Sequence, residues 1–275
     1  MGDWLSRTPI WLLGIGLFLI TVAAAYAGWR LSRWFASNPG RWGQLTESQE
    51  GYIITTVYTL LGLLVGFTFS IAVDRYQDRR ELVIRDATAI EQLYLRAQLL
   101  DEPHRTRFSN LLVRYAENHL ALGKARHDDL QAKTLIAEDQ QLLQDLWTAT
   151  VPAFQSIRTL DFSSSFVDSV NDVIRTDAER QAARRAQIPR TVILLLIFYS
   201  IVAAALLGAI MKSRKGEVAS VFLLALSVLA LMLITDMNRP VEGTIHEPQE
   251  PMERMLARLK ASPPAVYQRL AMPPH

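Results

Sequence analysis

Four stretches of this chain carry no Asp, Glu, Lys or Arg at all: Ile10 to Trp29, Tyr52 to Val73, Val192 to Met211 and Val218 to Thr235. They are 20, 22, 20 and 18 residues long. A helix needs about 20 apolar residues to cross roughly 30 Å of hydrocarbon, and a charge left at its centre is costly. One such window suits the middle of a large soluble core, but four at full membrane length read as spans. Trp4, Trp11, Trp29, Trp34 and Trp42 gather around the ends of the first window, as an interfacial aromatic belt does. The competing reading of that window is a cleaved leader, which the run Ala23-Ala24-Ala25 would suit. Against it, only Arg7 supplies positive charge upstream, and the window exceeds the apolar core of about 7–15 residues that leaders carry. The chain reads as an integral, multi-pass, all-α membrane protein with the lipid bilayer as its first partner.

Composition then narrows the function classes. The mean hydropathy of +0.12 averages two unlike materials, because every charged side chain falls outside the four windows. With no cysteine there is no disulfide scaffold, no thiolate-bound metal and no cysteine nucleophile. A formal net charge of +2 over 275 residues lacks the basic excess of a nucleic-acid binder.

Residues 75–190 are the charged material, with 17 Lys plus Arg against 17 Asp plus Glu. This segment holds one glycine, Gly123, and three prolines, Pro103, Pro152 and Pro189, too few breakers for an all-β fold. Tyr76, Val83, Ala87, Ile90, Tyr94 and Ala97 fall on one helical stripe, and no Gly or Pro interrupts the chain from Phe67 to Glu102. The second span is therefore predicted to continue as one helix to about residue 100. Further helices are predicted from Pro103 to about Leu122, from the His127-Asp128-Asp129 cap to Pro152, and from Asp161 to Arg185. The resulting fold class is four transmembrane helices with a helical-bundle extramembrane domain inserted between spans two and three. The divisions are 1–74 (spans 10–29 and 52–73), 75–190 (the bundle), 191–235 (spans 192–211 and 218–235) and 236–275. The last segment, rich in proline, reads as an extended strap with one short helix from Pro251 to Leu259.

The second span is the most informative element. Thr55, Thr59, Gly62, Gly66 and Ser70 recur at helical spacing and give one small, polar face, which Asp74 and Asp78 continue just beyond the hydrocarbon. Leu60, Leu64, Phe67 and Ile71 lie on the other side. Small residues at this period, including the Gly62/Gly66 GxxxG pair, let helices approach closely. They equally suit a pore, with hydroxyls and backbone lining the path and an aromatic such as Phe67 forming a constriction. No ionisable residue lies inside any span, which argues against a proton-coupled transporter. Arg79, Arg80 and Arg85 on the exit helix, with Arg180, Arg184, Arg185 and Arg190 on the return helix, make a basic ring near the membrane. Its bland reading is headgroup contact and ion pairs with Asp74, Asp78, Glu81 and Asp86; its functional reading is an electropositive vestibule for anions.

Catalytic constellations are not found. The five histidines read as isolated or turn-placed, and Glu117 and His119, two apart, face different ways on a helix. His127-Asp128-Asp129 fits a helix cap better than a metal site. There is no P-loop, no G-x-S-x-G and no HExxH. No enzyme activity, cofactor or metal is expected.

Several of these residues resemble the bestrophin-like domain family of prokaryotic membrane proteins. The similarity is carried by Gly62-Leu-Leu-Val-Gly-Phe-Thr-Phe-Ser70, Tyr76, Arg79-Arg80 and Arg85-Asp86-Ala87-Thr88-Ala89-Ile90, with Thr88 where the family usually has Asn. Val170-Asn-Asp-Val-Ile174 with Arg180, Arg184 and Pro189 resembles its approach to the third span, and Asp236, Arg239 and Pro240 with Gly243 and Ile245 its exit from the fourth. Through a distant relation to bestrophins, the resemblance implies a homo-oligomer, pentameric by analogy, that passes inorganic anions along its second span. The alternative is a non-conducting, membrane-anchored scaffold or sensor that binds a partner through residues 75–190. The expected location is the cell (inner) membrane. Short-loop charges, six Lys plus Arg on the connectors against Arg7, Arg239 and Arg254, favour an external bundle. The resemblance favours a cytoplasmic one, which we take as the expectation.

Overall fold

The computed structural model describes residues 8–37, 46–125, 130–210, 214–239, 245 and 247–271. Among these residues there are nine helices and no strand. In chain order they are α1 (Ile10–Ala36), α2 (Glu47–Ala97), α3 (His104–Lys124), α4 (Leu130–Ile157), α5 (Ser163–Arg185), α6 (Arg190–Ile210), α7 (Arg214–Met237), α8 (Glu250–Ala261) and α9 (Pro264–Ala271). Four helical stretches are long and apolar enough to cross a membrane: Ile10–Phe35, Ser48–Ala97, Ser163–Ile210 and Gly216–Met237. The 51 residues of α2 form one uninterrupted helix, about 76 Å of chain at 1.5 Å per residue.

The chain divides into two compact units. The first, within Met1–Arg75 and Gln187–Ile245, contains α1, α6, α7 and the N-terminal half of α2. Ala204, Leu207 and Leu224 form a small core against Phe18, Ala24, Ala25, Ile54 and Tyr58. Its closest approach is between α1 and α6. A Cβ built on Gly28 would collide with the Ala205 carbonyl, and one on Gly208 with the Ala25 carbonyl. Backbone-to-backbone packing of this kind gives helices in lipid the dispersion contacts that hydrophobicity cannot supply there. Two buried hydroxyls are satisfied on their own helices: Thr21 donates to the Phe18 carbonyl at 2.9 Å and Ser200 to that of Leu196 at 2.8 Å. Beyond α7, the Asn238 amide oxygen accepts from the Ile188 N–H at 2.8 Å, and Arg239 donates to the Thr8 carbonyl at 2.9 Å.

The second unit, within Tyr76–Ala186 and His246–His275, contains the rest of α2 with α3, α4, α5, α8 and α9. Leu93, Tyr94 and Ala97 of α2 meet Phe108, Leu112 and Tyr115 of α3, Leu142 and Leu146 of α4, and Phe166, Val170 and Val173 of α5 in one core. Phe108 and Phe166 pack edge to face with centroids 5.2 Å apart. Met252, Met255, Leu256 and Leu259 give α8 its buried face, and the Tyr94 hydroxyl donates to the Ser262 carbonyl at 2.8 Å.

Two expectations are corrected. Pro152 does not end α4, which runs on to Ile157. It sits on the exposed side, as does Thr148, whose carbonyl lacks an N–H partner four residues on and can be hydrated instead. The C-terminal segment is not a strap with a single helix, because Pro264 opens a second one, α9. Proline in the first helical turn forfeits no hydrogen bond, so it starts a helix as readily as it stops one.

Candidate functional site

The predicted face of α2 is open. Thr55, Thr59, Gly62, Gly66 and Ser70 are all exposed, and a Cβ built on Gly62 or Gly66 meets no atom within 4 Å. Within the membrane-spanning part of α2, the buried stripe is instead Leu61, Thr68 and Ala72. At 100° per residue the small face is centred about 140° around the helix from that stripe. Phe67, 63% exposed, stands between the two with Leu60 and Ile71. Asp74 and Asp78 are exposed as well.

The basic positions divide. Arg80, Arg85 and Arg185 are exposed, and Arg85 pairs with Glu81 at 2.6 Å, mostly in solvent. Arg79 and Arg184 are buried and converge on one carboxylate, Glu247, at 3.3 and 3.5 Å. Glu247 lies outside the set of acidic partners expected for these arginines. Arg180 does meet an expected one, Asp86, at 2.7 Å. Among the family-pattern positions, Tyr76 is half-buried while Ala87 and Ala89 belong to the core. Asp236 is buried and accepts from the Ile245 N–H at 3.2 Å. Pro240 lies outside the described residues, as does the His127-Asp128-Asp129 cap.

His119 is not isolated, contrary to expectation. Its Nδ1 lies 2.8 Å from Asp86 Oδ2, and its Nε2 lies 2.8 Å from Asp139 Oδ1 and 3.4 Å from Asp177 Oδ1. Arg180 Nη1 sits 2.7 Å from Asp86 Oδ2, and Arg180 Nη2 donates to Gln249 Oε1 at 3.1 Å. The Asn118 amide reaches Asp139 Oδ1 at 3.3 Å, and Gln181 donates to Asp177 Oδ2 at 2.8 Å. Four helices supply this cluster, and each of its five charged or titratable residues is at most 5% exposed. Burial alone would push the imidazole toward neutrality. The surrounding carboxylates, Asp86 foremost, outweigh it and hold His119 well above its ordinary range. Tyr115, whose ring stacks on His119 at 4.2 Å, is pushed up by burial and by the same carboxylates.

The sequence reading missed this cluster, yet a signal was present. Asp86 falls between Val83 and Ile90 on the buried stripe of α2, and His119 follows Leu112 and Tyr115 on that of α3. Asp139 precedes Leu142 and Leu146, and Asp177 follows Val170 and Val173. A titratable residue on an apolar stripe is a buried one, and a buried one needs a partner.

With both regions described, comparison places the chain. The family model described as "Bestrophin-like domain" matches residues 18–250. The chain belongs to the bestrophin-like family. Solved structures share the fold. A substituted form of a bacterial bestrophin homologue from Klebsiella pneumoniae superposes with a TM-score of 0.66 at 15% identity, covering 95% of this chain and 99% of that one. A second substituted form of the same homologue gives 0.66 at 13% identity, with 90% and 97% covered. A structure described only as a membrane protein gives 0.66 at 16% identity, with 90% and 98% covered. No curated protein matches. This bestrophin-like chain is thus a helical membrane protein, and at these identities the neighbours speak for its fold.

Proposed function

We propose that this bestrophin-like protein is an oligomeric anion channel, a ring of five by analogy, in which α2 of each subunit lines the path. The observation that carries the reading is the face of Thr55, Thr59, Gly62, Gly66 and Ser70, small and polar on a membrane-length helix and exposed among the described residues. In a ring, that face turns to the axis or to the next subunit, and Phe67 at its margin narrows the path. Bestrophin-like membership supports the ion-channel class, and the anion preference follows from the family's relation to bestrophins. The same reading puts the bundle between spans two and three on the cytoplasmic side of the inner membrane, and assigns no chemical catalysis to the chain. Arg80 and Arg185, exposed, are the cations available to attract anions; Arg79 and Arg184 share Glu247 and serve the bundle's interior.

A second reading, a non-conducting scaffold, draws support from Trp147, Val151 and Phe154. These three expose an apolar strip on α4 beside a groove of roughly 600 Å³. Cryo-electron microscopy of the purified protein with planar-bilayer recording separates the two. The channel reading expects a closed ring with α2 at the axis and chloride currents. A monomer, or a ring silent under varied anion, voltage and calcium conditions, supports the scaffold.

A further inference from the structure

We propose that His119, Asp139 and Asp177 form a binding site for one divalent first-row transition-metal ion, of the Zn²⁺ or Mn²⁺ class, with Asp86 and Arg180 positioning the imidazole. Three donor atoms, one nitrogen and two carboxylate oxygens, lie within 4.8 Å of one another on three separate helices, α3, α4 and α5. A tetrahedral ion with bonds of about 2.1 Å holds its ligands about 3.4 Å apart. The Nε2 to Asp177 distance is 3.4 Å already, and the Nε2 to Asp139 distance of 2.8 Å needs to open only slightly.

Hydrogen bonding within the cluster is incomplete at the atoms that would ligate. His119 Nε2 is buried 2.8 Å from Asp139 Oδ1 without a well-formed hydrogen bond. Asp139 Oδ2 is buried without any partner, on a residue 1% exposed. Orphaned polar atoms at this depth are rare because each forfeits its hydration. Here two of them belong to the same donor set, beside Asp86 Oδ1, Asn118 Oδ1 and Arg180 Nε, which also lack partners.

Charge points the same way. Without an ion, three carboxylates face the Arg180 guanidinium and a protonated His119, one negative charge in excess in a sealed interior. A divalent cation that displaces the Nε2 proton brings the set to neutrality. The surroundings of the ring are those of a ligating histidine, whose second nitrogen donates to a carboxylate that is itself held. Asp86, fixed by Arg180, accepts the hydrogen bond from Nδ1–H and so leaves the Nε2 lone pair for the ion. Gln181 donates to Asp177 Oδ2 and leaves Oδ1 turned to the imidazole, while Asn118 steadies Asp139. The imidazole selects against Mg²⁺ and Ca²⁺, which prefer all-oxygen sets. An ion here fastens α3, α4 and α5 to one another.

The test uses the full-length protein in detergent, stripped with a chelator and titrated with Zn²⁺, Mn²⁺ and, as a spectroscopic probe, Co²⁺. One ion per chain is expected, with no saturable Mg²⁺ binding, a raised melting temperature and a visible cobalt band. His119→Gln should abolish binding, and Asp86→Asn should weaken it on the order of 10–100-fold while sparing the ligands. The wild-type titration stands without any variant. Failure of the folded wild type to take up any of the three ions overturns the proposal. So does equal affinity in a folded His119→Gln, which would place the ion on surface carboxylates. None of these readouts involves conductance, so the channel reading stands or falls separately.

Discussion

Two glycine-bearing faces of the membrane unit look alike in sequence and differ in the fold. On α1 and α6, Gly28 and Gly208 with Ala25 and Ala205 bring two backbones into contact. On α2, a Cβ on Gly62 or Gly66 meets no atom within 4 Å, and Thr55, Thr59 and Ser70 beside them are exposed. Small residues at helical spacing permit close approach, but they do not supply the partner. The first pair is consumed by folding of the single chain, whereas the second is left for something outside it. That remainder is where function is sought.

Substitution at these glycines should grade accordingly. Gly208→Val or Gly28→Val sets a side chain against a carbonyl that no rotamer change can move. The expected cost is about 3 kcal/mol or more, read as loss of folded, monodisperse protein in detergent. Retention of wild-type stability would mean that α1 and α6 are not so close. Gly14→Ala also collides, but with the Met232 side chain, which can swing away. A penalty of about 1 kcal/mol is expected there, as a modest drop in melting temperature. Gly62→Ala and Gly66→Ala meet open space and relieve the cost of glycine in a helix, so the subunit's thermal midpoint should hold or rise by the equivalent of about 0.5–1 kcal/mol each. A large loss at Gly62 or Gly66 in dissociated subunits would erase the contrast.

How much of this was legible from residues alone follows from the range of the forces involved. Membrane spans are a local signal, because hydrocarbon penalises any charge within about 20 consecutive residues, and the described residues of the charge-free windows sit inside α1, α2, α6 and α7. The continuation of α2 was legible for a similar reason: a stripe such as Val83, Ile90, Tyr94 and Ala97 repeats within one element. Proline was read less well. Whether Pro152 or Pro264 breaks a helix depends on which carbonyl it orphans and whether water can reach it, and that is decided by the tertiary fold. The face at Gly62 and Gly66 could be named from spacing but not assigned to packing or to openness, since its partner is not encoded nearby. The cluster around His119 was out of reach as a constellation, because Asp86, His119, Asp139 and Asp177 come from four helices. Only their burial was foreshadowed, by the apolar stripes on which they sit.

The absence of cysteine from the chain makes the α2 face directly testable. Thiols introduced singly as Thr59→Cys, Gly66→Cys or Ser70→Cys would be the only ones present, with Leu226→Cys on the exposed side of α7 as the outward control. Current is recorded in planar bilayers while an anionic methanethiosulfonate reagent is added. The account predicts that chloride current falls on modification at the three α2 positions and is unchanged at Leu226→Cys. Complete labelling of the α2 thiols with undiminished current would contradict it.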